Sequence, residues 1–170
     1  MLARNETIFK WALYAAATLL ALIAQSVLFQ RLTLWGVIPF IYPLLAAIPS
    51  TFEAPVPATI FALCTGVCCD ALLPAPIPCF YTMIFPLVGL AASLLSRSLL
   101  PAGYLCSLTA AAAAFLMVGL FHCLLLWIME KAAWGSGLLL MLKELLVSLP
   151  LCFPLTWLYR AVFLRTHLDD

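Results

Sequence analysis

The sequence predicts an all-α polytopic membrane protein, a compact bundle of about six transmembrane helices forming one domain over residues 1–170. Three observations carry that prediction. Hydrophobic residues make up 66% of the chain and charged residues 9%, where soluble domains carry about 25% charged. A chain so poor in charge cannot clothe a globule in polar side chains, so the bilayer is its solvent. The apolar residues also gather in runs near the roughly 20 residues a helix needs to cross a bilayer. Finally, the runs are apolar on both parities, whereas the strands of a membrane barrel alternate in polarity over about ten residues.

The first run, about Ile8 to Phe29, has Lys10 at one end and Arg31 at the other. It is long for a leader and lacks an A-x-A site, so it is expected to be retained as a span. The second, about Leu34 to Ile48, is short, with Pro39 and Pro43 inside it and Pro49 at its end. The third covers about Val56 to Leu72. The fourth covers about Cys79 to Leu95, with Pro86 inside. The fifth runs from about Ala102 to Ile128, and the sixth from about Leu139 to Phe163 with Pro150 and Pro154 inside. Internal prolines are compatible with spans because neighbouring helices satisfy the freed carbonyls. The short connections leave no room for an extramembrane catalytic domain.

Lysine and arginine set the expected orientation. Six spans put both termini on one side, with Arg4, Lys10, Arg97, Arg160 and Arg165, against Arg31 and Lys131 on the other, joined by Lys143 if it lies outside the sixth span. Both termini are therefore expected in the cytoplasm, with Asp70 near the outer face and Glu53 inside. A formal net charge of +1 gives no electrostatic case for nucleic acid. The seven cysteines lie in apolar surroundings, without C-x-x-C spacing, and read as small packing residues.

The third run carries the most specific pattern. Ala58, Ala62, Gly66 and Asp70 recur every four residues and share one helix face. Small residues at that spacing let another helix approach closely, and an acid at the end of the same face points into the protein rather than into lipid. The candidate partners for Asp70 are Lys143, at a similar depth in the sixth run, and His122 in the fifth. Ala12-Ala16, Ala17-Ala21, Ser107-Ala111 and Cys106-Ala110-Ala114 form further small faces, open either to intramolecular packing or to a partner's helix. No second intramembrane aspartate pairs with Asp70, and H-E-x-x-H, G-x-S-x-G and phosphate-cradling loops are missing, so neither an enzyme nor a cofactor is expected.

The segment "FALCTGVCCDALLPAPIPCFYTMIFPLVGLAASLL" resembles the G-x-x-x-D stretch of the MreD family, integral membrane proteins that determine rod shape in bacteria. Gly66 and Asp70 fall on the motif, and Gly89 matches a glycine of the following helix. Family members often carry a further glycine where this chain has Ala62, and glycine in the loop that here reads "LLPAPIPCF". The resemblance implies a non-enzymatic scaffold in the bacterial cytoplasmic membrane. Such a protein binds a single-span MreC-like partner and, through it, the actin-like MreB filament, a wall glycosyltransferase and a transpeptidase, with lipids as its surroundings.

The alternative is the substrate-binding S-component of an energy-coupling-factor vitamin transporter, also six-spanned and of similar size, so an S-component-like bundle is expected under either reading. Its docking face would be Ala12-Ala16 or Ala17-Ala21. Its pocket would draw on Asp70, Tyr81, His122, Trp134 and Lys143.

Overall fold

The computed structural model describes residues 2–31, 33, 35–73, 77–130 and 134–167. Leu34, Pro74, Pro76, Lys131 and the Arg4 side chain lie outside the described residues. The described chain forms α1 (Leu2–Val27), α2 (Tyr42–Ser50), α3 (Pro55–Leu72), α4 (Phe80–Ser98), α5 (Tyr104–Ile128), α6 (Trp134–Ser148) and α7 (Cys152–His167). Short 3-10 turns follow α1 and join α6 to α7. Five segments are long and apolar enough to cross a membrane: Thr7–Val27, Pro55–Leu72, Phe80–Ser98, Tyr104–Ile128 and Trp134–Thr166. The last combines α6 and α7. Pro150 removes a backbone donor there, and the chain tightens into the 3-10 turn Leu149–Leu151.

The expected second span is different. In place of a helix over residues 34–48 the structure has α2, nine residues starting at Tyr42. At 1.5 Å per residue it is under half the thickness of a hydrocarbon core of about 30 Å. The prolines supply the reason. Pro43 sits in the first turn of α2, and extending the helix backward would drive its ring into the carbonyl of Pro39. Residues 38–41 therefore run without regular structure. Their backbone groups find side-chain partners: Gln25 Nε2 donates to the Pro39 carbonyl (2.7 Å), the Ile41 N–H donates to Gln25 Oε1 (3.3 Å), and the Phe40 N–H donates to Ser148 Oγ (2.8 Å).

All nine residues of α2 are buried. The helix is the post of the bundle, in contact with α1, α3, α4, α5 and α7. Tyr42, Ala46 and Ala47 face a core shared with α3, α4 and α5. Leu44, Leu45 and Ile48 face a second core built from α1, α5 and α7, where Thr18 Oγ1 and the Tyr159 hydroxyl meet at 2.9 Å. The outside of the bundle is apolar: Leu105 is 72% exposed, Trp157 66% and Leu20 64%. A continuous surface of this kind suits lipid and not water.

At one end of the bundle Lys10 Nζ lies 2.7 Å from Glu53 Oε1 and 5.9 Å from the centre of the Phe163 ring. The start of α1, the turn before α3 and the end of α7 thus share that end. Ser93 and Ser96 of α4 donate to the carbonyls of Glu53 and Thr51 and hold the same turn. Both ion-pair side chains are largely buried, at 17% and 9% exposure. Breaking such a pair strands one charge and costs about 3–5 kcal/mol, while removing both charges is often near neutral. Glu53→Gln is therefore expected to lower stability by that amount, and Lys10→Met added to it to recover most of the loss. Unfolding curves in mixed detergent micelles check this, and equal losses in the single and double variants would refute it.

Candidate functional site

The stripe of α3 is buried inside the bundle, chiefly against α4. Ala58 and Ala62 are fully buried, and Gly66 is buried with them. A Cβ at Gly66 would lie 2.7 Å from the Tyr81 carbonyl oxygen and 3.0 Å from Thr82 Cα, both backbone atoms that cannot move aside cheaply. One at Gly89 would lie 2.6 Å from Ala62 Cβ and 3.1 Å from the Ala58 carbonyl oxygen. Glycine on α4 thus faces alanine on α3, and glycine on α3 faces the first turn of α4. The result is the most extensive helix pairing of the fold.

Asp70 completes the pairing one turn beyond Gly66. Its Oδ1 accepts the Tyr81 N–H (3.0 Å), and its Oδ2 accepts the Thr82 N–H (2.8 Å) and the Thr82 hydroxyl (2.6 Å). Tyr81 and Thr82 are the second and third residues of α4, whose first N–H groups have no partner within the helix. Cys79, which precedes α4 in a left-handed conformation (φ 60°), offers no side-chain cap. Asp70 supplies the cap from the neighbouring helix, and its negative charge faces the positive end of the α4 dipole. Short, charge-assisted bonds of this kind are about twice as strong as neutral ones.

This arrangement corrects the expected partners of Asp70. Neither Lys143 nor His122 bonds to it. The carboxylate is occupied by α4, whose backbone donors lie closer and need no second charge in the membrane. Lys143 is partly buried on α6, and His122 sits edge-on to the Phe80 ring at 5.7 Å on α5. Nor is the stripe free for a partner's helix, since α4 fills it. Ala17 and Ala21 are likewise buried, whereas Ala12 and Ala16 are exposed. Trp134 packs edge-to-face on Trp127 at 6.1 Å. All seven cysteines are free, and the described residues hold no group of three metal-ligating side chains.

Tyr81 and His122 do come together, with a residue that the sequence reading passed over. Glu144 of α6 joins them around a cavity of about 110 Å³ between α4, α5 and α6. The same glutamate lines an adjoining cleft of about 360 Å³ against Gln25 and the irregular segment before α2. The missed signal was simple: an acid between two apolar stretches of the sixth run, hidden by the lysine next to it.

Compared with known proteins, the chain matches no family model, no curated protein and no solved structure.

The α3–α4 clasp makes a paired prediction. Asp70→Ala removes the cap and is expected to cost about 0.5–2 kcal/mol. Gly66→Ala forces the helices apart and is expected to cost about 1–3 kcal/mol. Because both act on one contact, the double variant should lose less than the sum of the two. Strict additivity in detergent unfolding would show that the two residues work separately.

Proposed function

We propose that this chain is a non-enzymatic membrane scaffold of a bacterial cell-elongation machinery, an MreD-like protein that binds a single-span MreC-like partner and through it helps to organise peptidoglycan synthesis and maintain rod shape. The observation that carries the reading is the use made of the G-x-x-x-D stretch. The residues that bear the resemblance, Gly66, Asp70 and Gly89, are spent on locking α3 to α4. An acid engaged by three donors at a helix start is a structural fixture, and a rigid bundle presenting lipid-facing helices is what a scaffold requires.

In this reading the chain crosses the cytoplasmic membrane six times. Five crossings are helical, and one is the segment that ends in α2. The end of the bundle with Lys10 and Phe163 faces the cytoplasm, in keeping with the excess of Arg and Lys on that side. Asp70 and the α4 start lie at the outer end. The partner's helix takes a lipid-facing surface, because the Ala58–Ala62–Gly66 face is closed by α4.

The test is a mild-detergent pull-down from native membranes, with mass spectrometry of the proteins recovered. A single-span coiled-coil protein accompanied by wall-synthesis enzymes is the expected result, together with rounding of rod-shaped cells when the chain is depleted. Recovery of paired ATPase subunits with one large membrane protein would instead make the chain a transporter's substrate-binding subunit.

A further inference from the structure

Glu144 is an acid of the described residues that the helix packing leaves unused. It lies in α6, partly buried, and makes no hydrogen bond or ion pair among the described residues. A carboxylate within a membrane-spanning segment is costly and as a rule faces a partner or a water-filled space. Asp70 meets three donors on α4, and Glu53 meets Lys10. Glu144 meets no such partner and borders two adjoining volumes at once.

The lining of those volumes narrows what they hold. Phe40 and Glu144 border both. Tyr81, Phe115 and the His122 imidazole add rings to the smaller, and Tyr42 adds one to the larger. Phe40 stands 5.1 Å from Tyr42 and 6.4 Å from Tyr81, so the rings form one continuous wall. Among the described residues neither lining includes a lysine or arginine. An anion would be repelled by the carboxylate, and among the described residues the larger cleft offers it no cationic side chain. A divalent metal would need more oxygen ligands than one glutamate provides. A carboxylate beside aromatic rings suits an organic ammonium group, held by Coulomb attraction and by the ring quadrupoles. The larger space, about 360 Å³, falls in the range of about 300–1,000 Å³ for small-molecule sites. The amide side chain of that cleft, Gln25, is committed to the Pro39 and Ile41 backbone and shapes the wall.

We infer that the cleft around Glu144, between α4, α5, α6 and the segment before α2, binds an organic ammonium group, either a free amine or the amine headgroup of a membrane lipid. This does not depend on the scaffold reading, since it rests on the carboxylate, the rings and the space between them.

The full chain purified in detergent is titrated with choline chloride, with its uncharged carbon isostere dimethylbutanol, and with sodium chloride at matched ionic strength. Thermal unfolding is followed by tryptophan fluorescence. Choline is expected to raise the transition saturably and the two controls are not. Glu144→Gln should weaken the choline effect by about tenfold or more, the scale of one lost Coulomb attraction of about 1.4 kcal/mol or more at short range in a partly buried site. Phe40→Leu, which keeps the carboxylate, should weaken it several-fold and guards against a folding defect in the first variant. A parallel arm places both the parent and Glu144→Gln in nanodiscs of phosphatidylethanolamine or phosphatidylglycerol and counts retained lipids by native mass spectrometry. Retention of phosphatidylethanolamine that requires Glu144, with choline inactive, identifies the headgroup as the source. If choline and its isostere act alike and phosphatidylethanolamine retention is the same in both proteins, the inference is overturned.

Discussion

A peptide group at membrane depth has no water to bond, and the whole bundle is arranged around that constraint. Helices meet it internally everywhere except at their ends and at breaks. Among the described residues the longest break in the interior lies before α2, where Pro39 and Pro43 forbid a helix. The three backbone groups freed there are met by Gln25 from α1 and Ser148 from the end of α6. Those bonds join segments 14, 16 and 108 residues apart in sequence. The break thus draws α1 and α6 onto the same central segment. It also explains why α2 is fully buried: an irregular backbone is tolerated only where protein surrounds it.

The same constraint accounts for Asp70. The first turn of α4 presents backbone donors without internal partners, and the residue in the capping position, Cys79, provides no side-chain acceptor. A carboxylate on α3 reaches them only if the two helices come closer than ordinary side chains permit. Gly66 gives that approach at the α4 start, and Gly89 with Ala62 gives it further down. Close packing and capping are therefore one device. Without the glycine the acid would stand too far away, and without the acid the approach would bury unsatisfied N–H groups.

Much of this was legible in the sequence, and the illegible parts share a cause. Composition and run length identify the class, and the four-residue recurrence from Ala58 to Asp70 identifies the face, because both are local properties of one helix. The helix filling that face does not follow from spacing, and Asp70 went to backbone donors, which no side-chain inventory contains. The second run reads as a span because hydropathy is blind to conformation; only its prolines hinted at α2. Gln25 and Ser148 look like incidental polar residues in apolar runs until the break they serve is seen. Glu144 was masked by Lys143, although consecutive residues on a helix point about 100° apart and need not share surroundings.

Three acids in or beside the membrane helices show how placement decides role. Glu53, in the turn before α3, meets a lysine and ties three segments at one end. Asp70, at the end of α3, meets a helix start and becomes part of the frame. Glu144, on the inner face of α6, meets aromatic rings and space. The first two are satisfied by the fold itself, so the fold explains why they are there. The third adds nothing to the packing and, left charged and alone, would weigh against it. A partner from outside the chain supplies what packing does not, and the rings around Glu144 favour a positively charged one.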